Sequence, residues 1–294
     1  MTTLISIVIP TYNRANLIGK TITSFLNQNY PSFEIIIVDD GSTDDTEAAV
    51  SVFTDPRVNY YKKNNAERGA ARNFGTKHSN GSYVNFFDSD DLALPDHIST
   101  AVATIEKYNH PEVFTLGYNL VMEKKVLKEV KINGPANILL QKQSPLGCNS
   151  VFIRKDIAVK YPFSENREIA VSEDLLLWLT LSARYTFHGI PIITSSLVQH
   201  DQRSMLTDAP EKILKRMNIL VGELQKDEQY MTTYGRKYLP YVKSEKISLA
   251  ALNYALRGQK IQSVTTLFRA IKITPSLLFS RRFLAVVKYL LIKW

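Results

Sequence analysis

Asp88-Ser89-Asp90-Asp91 places three carboxylates within four residues, directly after Asn85-Phe86-Phe87. Charges of one sign held that close repel, and a divalent cation with a taste for hard oxygen ligands, Mg²⁺ or Mn²⁺, resolves the conflict. Such an ion at the carboxyl end of a strand in an α/β sheet is well placed to hold a diphosphate. The alternative for these residues taken alone is an acidic turn that caps the helix near Pro95. A second acidic pair, Glu173-Asp174, follows Ser172 and opens an apolar helix expected to run to about Tyr185. Ser172 is a good N-cap, and acids in a first turn complement the helix dipole. A third group, His200-Asp201-Gln202-Arg203, follows a strand expected over 191–198.

The elements that must position these groups are legible as a pattern. Leu4 to Ile9 reads as a buried strand stopped by Pro10, and Asn13 to Asn29 places Leu17, Ile18, Ile22, Phe25 and Leu26 on one helical face. Phe33 to Val38 is a near-continuous apolar run, as expected of a strand covered on both faces. It ends in the acidic turn Asp39-Asp40-Gly41-Ser42-Thr43-Asp44, which also caps a helix over about 45–53. A strand over 58–61 and a helix over 66–78 lead to the strand before Asp88. Alternation of this kind predicts a parallel α/β sheet with acidic turns at the carboxyl ends of its strands, where such sheets bind ligands.

Four motifs in this order are similar to those of the family-2 glycosyltransferases: Pro10-Thr11-Tyr12-Asn13-Arg14, Val38 to Asp44, Ala71-Arg72-Asn73 and Asp88 to Asp91. The resemblance covers about residues 4–205. It implies an α/β GT-A fold, a Rossmann-like, mostly parallel sheet flanked by helices, and an inverting transferase of the hexosyltransferase class using a nucleotide-diphosphate sugar. By that resemblance Asp39 and Asp40 meet the nucleobase, with Asp40 the acceptor for a uracil N3–H; the alternative for Asp39 is a helix cap. Pro10, Thr11 and Tyr12 frame the base, Tyr12 being equally suited to packing. Arg68 and Arg72, four apart on one helix face, are candidates for the diphosphate or base, the alternative for either being a solvated surface charge. Asp88 and Ser89 lie on the ribose side of the Asp-x-Asp element, with Asp90 or Asp91 as the direct ligand of Mn²⁺ or Mg²⁺. His200 resembles a late histidine that completes the metal shell, and Arg203 could clamp the diphosphate. In Glu173-Asp174 the resemblance makes Asp174 the general base on the acceptor hydroxyl, with Glu173 positioning its neighbours.

The chain is long enough for a large catalytic domain plus an appendage. The expected division is a catalytic domain over 1–208, with a nucleotide-sugar half (1–110) and an acceptor half (111–208), followed by a basic helical C-terminal region over 209–294. Within the acceptor half, Glu123 to Lys131 reads as a hairpin or surface excursion, and Pro145 to Ser150 falls where related enzymes meet the acceptor. Cys148 is the only cysteine, so no internal disulfide can form, and a buried bystander thiol is the expectation. Of 36 Lys and Arg, nine lie beyond Glu245, where there is no acidic residue at all. Residues 247–257 and 261–271 read as a helical pair. The segment 280–294 is too short to span a bilayer, and its basic flanks and terminal Trp294 suit the interface of an anionic membrane. The alternative is packing on the catalytic domain or on a second copy in a homo-oligomer. No nucleic-acid module accompanies the charge.

Together these readings imply transfer from a UDP-sugar to a glycan or lipid-linked glycan in bacterial cell-surface polysaccharide synthesis. Met1-Thr2-Thr3 carries no charged leader, so the expected place is the cytoplasm, peripheral at the inner membrane face. The rival classes are a non-catalytic nucleotide-sugar-binding or scaffold protein of the same fold, and a transferase that uses a lipid phosphate as acceptor.

Overall fold

The computed structural model describes residues 2–123, 125–143, 145–199 and 208–291. The chain runs β1 (Ile5–Thr11), α1 (Ala15–Leu26), β2 (Phe33–Asp39), α2 (Thr46–Ser51), β3 (Val58–Lys62), α3 (Glu67–His78) and β4 (Tyr83–Phe86). After these come β5 (Leu92–Ala93), α4 (His97–Lys107), β6 (Val113–Met122), β7 (Lys125–Val130), β8 (Gly134–Pro135) and α5 (Asn137–Lys142). Then follow β9 (Val151–Arg154), α6 (Lys155–Lys160), α7 (Glu173–Ser182) and β10 (Phe187–Val198). The helices α8 (Pro210–Lys226), α9 (Glu228–Tyr230), α10 (Arg236–Leu256), α11 (Lys260–Ile273) and α12 (Arg281–Leu291) complete it.

The sheet order is β3-β2-β1-β4-β9-β6-β10-β5, with β7 paired to β6 and β8 to β10. Strands β3, β2, β1 and β4 are parallel, whereas β9 runs antiparallel to both β4 and β6. The sheet is therefore mixed in its second half. Every residue of β1 is buried, which explains why its apolar run is unbroken. Register brings Thr11 level with Asp39, and Asp39 level with Lys62. On the other side of β1, Val8 pairs with Phe86, and the Phe87 N–H donates to the Val8 carbonyl at 2.9 Å. The acidic ends of β2 and β4 thus flank the end of β1. Helix α3 lies close on these strands: a Cβ at Gly75 would stand 2.3 Å from Val8 Cγ1. Only a residue without a side chain permits that approach.

Phe25, Phe87, Phe114 and Phe152 are buried in the core beneath α1 and α4. Within it sits His97, fully buried, its Nδ1 2.8 Å from Thr194 Oγ1 and its Nε2 3.2 Å from Asn85 Oδ1. The ring ties α4 to β10 and β4. Burial pushes its pKa down to about 3, so it is neutral near pH 7. The folded state thus binds fewer protons than the unfolded chain, whose histidine titrates near pH 6.5. The stability His97 contributes is complete above that pH and is lost as pH falls from about 6.5 towards 3. Urea unfolding at pH 5 should show about 2 kcal/mol less stability than at pH 7.5. The His97→Gln variant should lack that difference; an equal slope in both proteins would assign it elsewhere.

Contacts divide the chain into two units. One comprises residues 1–137, 145–167 and 185–201; the other comprises 138–144, 168–184 and 202–294. This differs from a single boundary at 208, since α7, expected within the catalytic domain, groups with the C-terminal helices. The reason lies in its partners. Arg184, just past α7, pairs with Asp227 at 2.7 Å, and the Tyr234 hydroxyl donates to the Ser182 carbonyl at 3.2 Å. The Gln141 amide donates to Ser182 Oγ at 2.9 Å. In the second unit the expected helical pair is present, with its first member longer than anticipated: α10 extends back to Arg236 and contains Pro240. Among the described residues no helix is long and apolar enough to cross a membrane.

Candidate donor site

The first unit contains all four motifs, gathered around the end of β1. Asp39 is fully buried and committed on both oxygens: Oδ1 accepts the Ser42 N–H at 2.7 Å and Oδ2 accepts the Tyr60 hydroxyl at 2.6 Å. Burial, reinforced by Asp39, pushes the Tyr60 pKa up, so its hydroxyl remains a donor. Asp40 differs. Its Oδ1 accepts from Lys63 Nζ at 2.6 Å and the Ala66 N–H at 2.9 Å, while Oδ2 accepts no hydrogen bond among the described residues. Of the adjacent pair, Asp40 is the one with spare acceptor capacity. Asp39 does not cap α2: the N-cap position is Asp45, and the first N–H of the helix, that of Thr46, donates to Asp44 Oδ1 at 3.1 Å.

Around these acids Pro10 and Thr11 are buried and Tyr12 is 47% exposed, so the ring is presented rather than packed. Thr11 Oγ1 is buried without a hydrogen-bond partner, a condition that polar atoms in folded proteins rarely keep. Asn13, at φ 51°, bridges the first two motifs, its Oδ1 accepting the Thr43 N–H at 2.9 Å.

Arg72 settles one alternative. It is 1% exposed, pairs with Asp88 Oδ1 at 2.9 Å through Nη2, and lies 5.1 Å from the Phe163 ring centroid. It is not a solvated surface charge. Arg68 lies one turn earlier on α3 and is partly exposed. In the acidic turn, Ser89 and Asp91 are buried, while Asp88 and Asp90 are partly exposed. Asp91 is fixed from two sides: Thr21 Oγ1 donates to its carbonyl at 2.8 Å, and the Val198 N–H donates to its Oδ1 at 3.0 Å. One oxygen from each of Asp88, Asp90 and Asp91 lies within 4.8 Å of the others. Three hard anionic ligands at that spacing fit Mg²⁺ or Mn²⁺.

His200 and Arg203 lie outside the described residues. Glu173 and Asp174 belong to the second unit, at the first turn of α7, with Glu173 buried and Asp174 partly exposed. Ser172 occupies the N-cap position, yet its side chain makes no capping bond. Asp174 Oδ1 accepts the Leu175 N–H at 2.7 Å, and Val171 just upstream sits at φ 76°. A β-branched residue in the left-handed region is strained, and such strain concentrates at functional sites.

Two further residues were given no role by sequence reasoning. Arg14 lies 3.9 Å from Asp90, and its place as the last residue of the first motif was the available signal. Asn149 is 1% exposed with both amide atoms lacking a hydrogen-bond partner. A Cβ at Gly147 would lie 2.7 Å from Asn149 Oδ1 and 3.2 Å from Leu197 Cδ1, one residue from the Val198 that holds Asp91. Nothing in the local sequence marks that amide as buried. Cys148 is buried and forms no disulfide.

Residues 6–131 match the family model described as Glycosyl transferase family 2. An uncharacterized glycosyltransferase of Rickettsia felis is 35% identical over 193 residues, which cover 64% of this chain and 32% of that protein. The chain thus spans about a third of that relative's length. WfaP of Escherichia coli, a UDP-Glc:alpha-D-GlcNAc-diphosphoundecaprenol beta-1,3-glucosyltransferase, is 29% identical over 227 residues, covering 74% of this chain and 85% of its own. Among solved structures, residues 1–349 of S. aureus TarS in complex with UDP-GlcNAc superpose with a TM-score of 0.68 at 19% identity, covering 98% of this chain and 88% of that one. Through residues 6–131 the chain is similar to glycosyl transferase family 2, and its mixed sheet with flanking helices is of the GT-A type.

Proposed function

We propose that this chain is an inverting glycosyltransferase that moves a hexosyl group from a UDP-sugar to a hydroxyl of a lipid-linked glycan, at the inner face of a bacterial membrane. The observation that carries the reading is the acidic turn Asp88–Asp91 beside the buried Arg72, at the same end of the sheet as Asp40. In this reading Asp40 Oδ2 accepts the uracil N3–H, a contact that a base offering an acceptor there could not make. Tyr12 supplies an aromatic surface beside the base, and Asp88 faces the ribose. Asp90 and Asp91, with His200, would hold Mn²⁺ or Mg²⁺, which neutralises charge on the departing diphosphate. Arg68, Arg72 and Arg203 are the cations this reading assigns to the same diphosphate. Asp174 takes the proton of the acceptor hydroxyl as its oxygen bonds to the anomeric carbon, and the carbon–oxygen bond to the diphosphate breaks, so UDP leaves and the centre inverts. Glu173 positions the acceptor side. The lipid-linked acceptor is supported by the name of the Escherichia coli relative, and the uridine donor by the names of that relative and TarS.

The test is calorimetric titration of UDP-sugars and GDP-sugars with and without Mn²⁺. Tight, metal-dependent binding of a UDP-sugar is the expected result. If no nucleotide sugar binds the folded protein with metal present, the transferase reading fails and the scaffold alternative stands.

A further inference from the structure

The second unit presents an apolar face that its own packing does not use. Helix α11 is buried along Ser263, Thr266, Leu267 and Ala270, with Ser263 Oγ donating to the Ala251 carbonyl of α10 at 2.8 Å. Ile261, Val264 and Phe268, spaced three and four residues apart, point the other way and are 79%, 38% and 65% exposed. A soluble helix ordinarily places polar residues on that side. Exposed cations border the stripe: Lys260 at its start, and Arg269 and Lys272 towards its end. The turn that follows exposes Phe279 to 91%. The nearest acid in sequence, Glu245, is bonded to Arg282, and no acidic residue lies beyond it.

We propose that the outward face of α11, centred on Ile261, Val264 and Phe268, lies in the interface of an anionic phospholipid bilayer. An apolar stripe whose charged neighbours on the helix are all cations has the chemistry of an interfacial helix: hydrocarbon enters the acyl boundary while Lys and Arg meet anionic headgroups. A second copy of the chain is the poorer occupant, because Lys260, Arg269 and Lys272 would face their own kind across a two-fold axis. The sequence pattern pointed to residues 280–294 for this role. The fold turns part of that segment inward, since Val286 of α12 is fully buried against Ala251, Ala255 and Leu267. The stripe on α11 is independent of the donor site, so its failure leaves the proposed chemistry untouched.

The experiment is sedimentation of the full chain with vesicles of phosphatidylcholine alone and with phosphatidylglycerol added, without any sugar nucleotide. Wild type is expected to partition onto the anionic vesicles, less strongly as salt is raised. The double variant Ile261→Gln/Phe268→Gln should lose binding by about tenfold or more, as removal of buried apolar area implies. Both side chains already face water, so the variant should keep the wild-type far-UV spectrum and melting temperature. The pair Lys260→Gln/Lys272→Gln should weaken binding to anionic vesicles and reduce its salt dependence. Equal binding by wild type and the Ile261/Phe268 variant would overturn the proposal, as would binding that ignores phosphatidylglycerol. A concentration-dependent dimer in solution, abolished by the Ile261/Phe268 variant, would assign the face to a second copy instead.

Discussion

Asp174→Asn should leave the protein folded and the UDP-sugar affinity unchanged while turnover falls by about 10²- to 10⁴-fold, the usual worth of a positioned general base. The substitution keeps shape and an oxygen that can still accept the Leu175 N–H, now held at 2.7 Å, so the start of α7 should survive. What disappears is a carboxylate able to take the acceptor proton. The comparison that matters is kcat against donor dissociation constant, measured by single-turnover kinetics and calorimetry on the same preparations. A drop in kcat with donor binding intact supports attack by a hydroxyl. Turnover within a factor of about two of wild type would point to an acceptor already ionised, as a lipid phosphate is, and would remove the need for a base. Asp174 stands beside a backbone that adopts an unfavourable conformation, Val171 at φ 76°. Such strain persists only where surrounding structure over-determines it.

The second large effect concerns the acidic turn. With Asp88, Asp90 and Asp91 offering oxygens within 4.8 Å of one another, Mn²⁺ should bind the wild-type chain and raise its melting temperature. Saturation at about a hundredfold over the dissociation constant corresponds to roughly 2.7 kcal/mol of added stability. Asp90→Ala should abolish that rise and lower turnover by about a hundredfold or more, because the charge that builds on the diphosphate would be less neutralised. Asp90 is the appropriate choice. Asp91 also anchors the turn to Thr21 and Val198, and replacing it would confound binding with folding. Stripping wild type with a chelator should reproduce the Asp90→Ala phenotype, with the difference that added Mn²⁺ restores wild type alone. A melting temperature indifferent to Mn²⁺ in both proteins would argue for a site run by cationic side chains. Arg72, held 2.9 Å from Asp88 and almost fully buried, would be the first of these to test.

Much of this was written into the chain locally. Continuous apolar runs forecast β1 and β2 because both faces of a central parallel strand are covered, and period and turn chemistry forecast α1, α3 and the acidic turns between. The order of four motifs carried the family resemblance, and the break in charge at Glu245 marked the C-terminal helices as chemically distinct. Short-range patterns encode short-range structure, and these features are all of that kind.

What tertiary structure alone decided were the pairings between distant positions. The resemblance singles out Asp40 of the adjacent pair Asp39-Asp40, but the sequence does not say which of their oxygens are already engaged. Only the fold brings Tyr60 and Ser42 to the first, and Lys63 and the Ala66 N–H to a single oxygen of the second. Asp91 depends on Val198, 107 residues away, and Arg72 becomes a buried partner of Asp88 because glycine at 75 lets α3 close on β1. Nothing in the local sequence marks His97 as buried; the fold encloses it with Thr194, Asn85 and three aromatic rings. Likewise an amphipathic pattern states that a helix has an apolar side without stating whether protein will cover it. Sequence by itself determined the elements, their order and the class of chemistry. Which carboxylate oxygen and which helix face remain available was decided by packing, since availability is what is left after every other group has found its partner.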